Sequence, residues 1–327
     1  MTYTYPNKLQ PGDEVRIIAP SRSMAIVNEE TRAVAAERFE KLGLKVTFSK
    51  HIEECDQFAS SSISSRIEDI HDAFRDQNVK GIITILGGFN ANQLLPYIDW
   101  DLIRNNPKVF CGYSDITVLN NSILAKTGLI TYYGPHYSTF GMREQFEYNL
   151  DYFAKCLMTD DPIEVQPSHD WSDDTWYTDQ AARTIKVNDG WFVINTGTAS
   201  GTIIGGNLNT LNHLQGTAYM PSLTDSILFI EDDSETRDVL FDRDLVSLTQ
   251  QPGFETVRAI VIGRFQQDSK LSLDTIRRII NHTPSLAHLP VIANVDFGHT
   301  NPMITFPIGG ECTVVVDDSP RITLTRH

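Results

Sequence analysis

Apolar residues fall in two rhythms along the first half of the chain. Short β-branched runs have strand length: Glu14-Val-Arg-Ile-Ile-Ala19, Lys45–Phe48, Gly81-Ile-Ile-Thr-Ile-Leu86 and Lys108-Val-Phe-Cys-Gly112. Between them lie stretches with helical spacing. Asn28–Leu42 is rich in Ala and Glu and stops at Gly43, a residue suited to follow a helix. Ile63, Ile67, Ile70 and Phe74 recur at helical intervals behind a run of serines able to cap. Thr117–Lys126 closes at Gly128, and Glu144–Met158 gives one more helix. Strand–helix alternation with short connections predicts a parallel α/β sheet. In such sheets ligands bind beyond the carboxyl ends of the strands. Gly87-Gly88 and Tyr113-Ser114 both follow such ends.

The pattern changes after residue 158. A polar stretch, 159–182, contains Trp171-Ser-Asp-Asp-Thr-Trp176-Tyr177 and shows no period. A stretch of this kind reads as a linker or an active-site loop. Beyond 183 come short strands at Thr184–Val187, Gly201–Ile204, Ser226–Ile230, Val257–Ile262, Thr313–Val316 and Ile322–Thr325. Helical spacing is clearest at Asp238–Thr249 and Ser272–Asn281. The expected organisation is a nucleophile-bearing α/β region over 1–158, a connecting loop over 159–182 and a mixed α+β region over 183–327.

Composition narrows the function. The 327 residues carry 27 Lys+Arg against 42 Asp+Glu, a net charge of −15. Phosphate-dominated binding needs clustered positive charge, so nucleic acid is not an expected partner. At 41% hydrophobic and 21% charged residues, the chain has the composition of a globular protein. No apolar run approaches a membrane span, and the first residues lack a basic, then apolar, leader. Cys55, Cys111, Cys156 and Cys312 form no closely spaced pair, which suggests reduced thiols, a cytoplasmic location and no structural zinc.

The candidate chemistry starts at one serine. In Gly112-Tyr-Ser-Asp-Ile116, Ser114 lies between a strand and a helix, where a nucleophile sits on a sharp turn. The amide of Asp115 behind it can donate to a developing oxyanion. The same Ser-Asp pair would also serve as a plain helix cap. A serine needs a base, and the base an orienting acid. Ser226-Ile-Leu-Phe-Ile-Glu231 reads as a buried strand that delivers a carboxylate at its end, though Glu231-Asp232-Asp233 also suits a solvated turn. The candidate bases are His136, His213 and His299, the last on a loop bounded by Gly298 and Pro302. Cys111 falls three residues before the elbow position and is not the expected nucleophile.

Taken together these segments resemble the LD-carboxypeptidase family of serine peptidases. The resemblance rests on Gly112-Tyr-Ser-Asp-Ile-Thr117, on Gly87-Gly88 followed by Leu94-Leu-Pro-Tyr-Ile-Asp-Trp100, and on Gly205-Gly-Asn-Leu208, Phe229-Ile-Glu-Asp232 and Phe297-Gly-His299. Pro11-Gly-Asp13 and Ala19-Pro-Ser21 fit the family's opening strand. The resemblance implies a flavodoxin-like parallel sheet domain, a C-terminal α+β domain with a small β-barrel-like core, and a homodimer. It implies a triad of Ser114, His299 and Glu231, and an oxyanion hole from the amides of Asp115 and Gly88. No cofactor and no metal are implied.

Two branches of the family differ in substrate: one trims murein tetrapeptides, the other confers microcin C immunity by cutting a peptidyl or aminoacyl nucleotide. Gly88-Phe-Asn90-Ala-Asn92 and the Trp-rich insert resemble the second. A purine could stack on Trp171 or Trp176. Asn207 is a candidate substrate contact, and equally a helix cap. Arg183, Lys186, Arg237 and Arg243 are candidate partners for an anionic substrate. Tyr133-Gly-Pro135 stands where the family has His-Gly-Pro. A non-catalytic ligand-binding module on the same fold is the reading from another class.

Overall fold

The computed structural model describes residues 2–327. Sixteen strands and eight α-helices follow one another along the described chain. The first stretch runs β1 (Glu14–Ile18), α1 (Glu29–Lys41), β2 (Lys45–Phe48), α2 (Ile63–Arg75), β3 (Val79–Thr84), α3 (Trp100–Asn105), β4 (Val109–Cys111), α4 (Thr117–Thr127), β5 (Thr131–Tyr133) and α5 (Glu147–Met158). Then come β6 (Ile163–Val165), β7 (Asp170–Trp171), β8 (Lys186–Val187), β9 (Phe192–Asn195), β10 (Gly197–Asn207), α6 (Leu208–Asn212), β11 (Ser226–Glu231), α7 (Asp238–Thr249), β12 (Ala259–Gly263), α8 (Leu273–His282) and β13 (Val291–Val295). β14 (Phe306–Ile308), β15 (Glu311–Val316) and β16 (Arg321–Arg326) complete the chain.

The elements form where the pattern demands. Asn28 and Ser62 cap α1 and α2, each side-chain oxygen accepting from the amide three residues on. Such caps satisfy donors that the first helical turn leaves free. In α2 the predicted stripe buries Ile70 and Phe74. β3 and β4 bury Ile82, Ile83, Val109, Phe110 and Cys111, as central parallel strands covered on both faces must.

Two large sheets result. The first has the order β14-β5-β4-β3-β1-β2, with β1 to β5 pairing in parallel. The second has the order β6-β16-β15-β10-β11-β12-β13-β9, and β10 to β13 form a parallel core inside it. The fold is therefore a two-domain α/β arrangement with a parallel sheet at the heart of each part. The second half is more regular than its sequence suggests, because α6, α7 and α8 serve as the crossovers between its parallel strands.

Two strands cross the division read from the sequence. β6, inside the polar stretch, pairs with β16 at the edge of the second sheet. β14, which follows His299, pairs antiparallel with β5 in the first sheet, setting Phe306 opposite Tyr133. Phe306 also packs its ring 4.9 Å from Phe229 and 5.2 Å from Phe297, so one aromatic cluster joins the two sheets. Among the described residues, no helix is long and apolar enough to cross a membrane.

Candidate active site

Both sheets turn the carboxyl ends of their parallel strands toward one cavity of about 220 Å³. β4 leads into Ser114, which adopts φ +60°. A side chain rarely tolerates that left-handed conformation, and it marks a turn held in place by its surroundings. α4 starts three residues later, so the Ser114 turn sits on a helix N-terminus. Glu231 closes β11, fully buried, and His299 lies on the loop beyond β13.

The three side chains meet. His299 Nε2 is 3.0 Å from Ser114 Oγ, and His299 Nδ1 is 2.7 Å from Glu231 Oε2. Two glycines make this approach possible. A Cβ on Gly298, which has φ +104°, would stand 2.4 Å from Glu231 Oε2. A Cβ on Gly87 would stand 3.0 Å from Ser114 Oγ. The imidazole environment is strongly biased. Burial opposes its charge, but Glu231, with Asp233 and Asp232 beyond it, pushes His299 up to about 9.

Residues that sequence reading did not rank hold this arrangement. Tyr133, where the family has a histidine, donates its hydroxyl to Glu231 Oε1 at 2.6 Å, and that hydroxyl accepts the Ser114 amide at 3.4 Å. Tyr133 thus takes the carboxylate oxygen that His299 leaves free. Asp115 was read only for its amide. Its carboxylate, 5% exposed, accepts from Ser21 Oγ at 2.5 Å and from the Asn90 and Ala91 amides at 2.9 Å each. The residue after the nucleophile therefore ties down the chain that carries Gly88. Arg66 steadies the same segment through Asn90 and Gln93. Asp296 fixes the root of the His299 loop: Ser168 and Arg264 both donate to it, and Ser172 pairs with Asn301 two residues past the histidine.

The remaining candidates divide. Gly88, Asp115, Asn207, His213 and Arg243 line the cavity. Asn207 also caps α6, accepting from the Thr210 amide, and donates to Asp232. His136 does not reach Ser114. It is buried, its Nδ1 is 2.7 Å from Thr84 Oγ1, and burial and then His299 pull it down to about 3, so it stays neutral. Cys111 is buried, which pushes its thiol well up. The two tryptophans do not line the cavity. Trp171 carries Lys186 at 4.5 Å and Arg264 at 4.9 Å from its ring, and Trp176 is buried against Tyr177. Arg183 and Lys186 are paired with Asp174 and Asp173, and Arg237 turns back to the Ser234 and Thr236 carbonyls.

Known proteins share this architecture. The family profiles described as LD-carboxypeptidase N-terminal domain and LD-carboxypeptidase C-terminal domain match residues 15–134 and 200–314. The crystal structure of an MccF-like protein from Bacillus anthracis str. Ames is 55% identical, covers 99% of this chain and 100% of its own, and superposes with a TM-score of 0.97. YocD of Bacillus subtilis (strain 168), which carries a provisional carboxypeptidase name, is 50% identical over 99% of this chain and 100% of its own. The microcin C7 self-immunity protein MccF of Escherichia coli is 30% identical over 98% of this chain and 95% of its own. Its structure in complex with aspartyl sulfamoyl adenosine covers 98% of both chains with a TM-score of 0.89. With matches that run from the opening strand through the last sheet, the chain belongs to the LD-carboxypeptidase family of serine peptidases.

Proposed function

We propose that this protein hydrolyses an amide bond through an acyl-enzyme, with Ser114 as nucleophile, His299 as general base and acid, and Glu231 as the group that orients the imidazole. The observation that carries the reading is the unbroken line of contacts from Ser114 Oγ through His299 to Glu231, at 3.0 and 2.7 Å. Ser114 Oγ attacks the carbonyl carbon while His299 Nε2 takes its proton. Glu231 stabilises the imidazolium that forms. The tetrahedral oxyanion is held by the amides of Asp115 and Gly88. Neither amide has a hydrogen-bond acceptor among the described residues, and an aligned donor of this kind is worth about 3 kcal/mol. His299 then gives the proton to the leaving amine, the C–N bond breaks, and water, deprotonated by the same imidazole, releases the acid.

The substrate in this reading is an aminoacyl or peptidyl nucleotide, and the working form is a cytoplasmic homodimer. Support for the substrate comes from the likeness to MccF, which was solved with aspartyl sulfamoyl adenosine. Mass spectrometry of the protein incubated with an aminoacyl sulfamoyl adenosine, and separately with a murein tetrapeptide, tests it. Cleavage of the first by the wild type but not by Ser114→Ala is expected. Release of only the terminal residue of the second transfers the substrate to murein peptides. Cleavage that survives Ser114→Ala overturns the mechanism.

A further inference from the structure

The cavity at Ser114 holds about 220 Å³, short of the ~300–1,000 Å³ that encloses a ligand of drug size. A substrate that extends on both sides of the cleaved amide must therefore reach beyond it. A second cavity, of about 720 Å³, adjoins the first, and Phe89 lines both. No step of the hydrolysis derived above uses this second space.

Its walls have a chemistry of their own. Phe58 and Phe89 border it and are 68% and 66% exposed, the two most exposed phenylalanines among the described residues. Apolar rings left in water beside a cavity mark a surface that a ligand covers. Phe58 is presented by a fixed turn. Asp56 Oδ1 accepts from the Phe58 and Ser60 amides, Ser60 Oγ donates to the Ser21 carbonyl at 2.6 Å, and the Ser23 amide donates to the Ala59 carbonyl at 2.8 Å.

The charge is also distinct. Arg22 and Arg66 line this cavity against one carboxylate, Asp56, which is a local reversal of sign in a chain of net charge −15. Arg66 is buried and gives its donors to neutral oxygens of Pro20, Asn90 and Gln93. Arg22 is half-buried and bound to the Gly87-Gly88 segment. Its amide donates to the Gly87 carbonyl at 3.3 Å, and a Cβ on Gly88 would stand 2.9 Å from Arg22 Cγ. Its guanidinium stands 5.0 Å from the centre of the Phe89 ring and has no hydrogen-bond acceptor among the described residues. A guanidinium so placed offers a planar pair of donors, the geometry that a carboxylate matches.

We propose that this second cavity is a peptide subsite, in which an apolar side chain of the substrate packs against Phe58 and Phe89 and a carboxylate farther along the same peptide pairs with Arg22. The inference rests on the amide-hydrolase reading and widens its substrate class from single aminoacyl groups to acidic peptidyl ones with an aromatic residue.

Aspartyl sulfamoyl adenosine, alone and extended at its amino end by glutamyl-phenylalanyl, lysyl-phenylalanyl or glutamyl-glycyl, provides the test. Calorimetry on Ser114→Ala gives the affinities, and turnover by the wild type is followed in parallel. The glutamyl-phenylalanyl extension should tighten binding roughly tenfold over the unextended compound, as expected for one aromatic contact and one exposed ion pair together. The other two extensions should each lose most of that gain. Arg22→Glu should reverse the order of the glutamyl and lysyl compounds, and Phe58→Ala should erase the advantage of phenylalanyl over glycyl. Equal affinity for all four compounds, preference for the lysyl one, a gain that survives both substitutions, or no binding of any overturns the peptide subsite. The full gain in binding with no cleavage by the wild type leaves the subsite standing and removes the hydrolase reading instead.

Discussion

The two edges that meet at the cavity are built differently. On the first sheet, the nucleophile is a local construction. β4, the turn at Ser114 and α4 are contiguous, and the strain at φ +60° is stored within a few residues. On the second sheet, the base and acid are long-range constructions. Glu231 and His299 are 68 residues apart and meet only because β11, β12 and β13 lie side by side in parallel register. A local site can be recognised in a short segment, whereas an assembled one depends on packing that no short segment contains.

Changes at either edge test this contrast, and the largest effect belongs to the nucleophile. Ser114→Ala should lower kcat on the order of 10⁴-fold or more while the melting temperature stays within a degree or two of wild type. A retained rate would break the assignment of chemistry to this turn. Next comes pH. A general base must be neutral, and His299 is pushed up to about 9. The kcat/KM profile should therefore climb toward a limb near that pH, with the rate falling about tenfold for each unit below it. A plateau from pH 6 upward would show that the charge of Glu231 does not govern the imidazole in the free protein.

Smaller effects sharpen the comparison. Asp115→Ala strips the acceptor from Ser21, Asn90 and Ala91 and frees the segment that carries Gly88. It should lower kcat roughly a hundredfold, with KM little changed, and cost about 1–3 kcal/mol of stability for the donors left unmet. A loss of stability without loss of kcat would separate the clamp from the oxyanion site. Tyr133→Phe removes one hydrogen bond to Glu231 and should cost about tenfold in kcat. The limb of the pH profile should also move upward, since a carboxylate with one donor fewer holds the imidazolium more strongly. An unmoved limb would make Tyr133 a packing residue only.

Much of the first half was legible. β1, β2, α1, α2 and α4 lie within a residue or two of where apolar spacing and caps set them. β5, β9, β13 and β14 were not anticipated, for physical reasons. β5 and β14 are three residues long, too short for a period to show. β14 also contains Pro307, which argues against a strand in sequence but is tolerated on an edge, where β14 lies. Ser114 and Glu231 could be nominated from strand ends, and His299 from its loop bounded by Gly298 and Pro302. The carboxylate of Asp115 could not, because its partners at Ser21, Asn90 and Ala91 come from other turns. Nor could Tyr133, since a buried tyrosine on a short apolar run looks like core until its hydroxyl is seen to face Glu231. The tryptophans suggested a stacking platform by composition, and the structure packs Trp171 beneath Lys186 and Arg264 and Trp176 against Tyr177.

The backbone that leaves His299 enters the sheet behind Ser114 as β14, seven residues on, and its Phe306 is wedged among aromatic rings from both halves. The molecule is thereby sewn shut across its own cleft. A clamshell motion that parted the two sheets would have to unzip β14 from β5, which favours a reactive pair that stands preassembled for each new molecule.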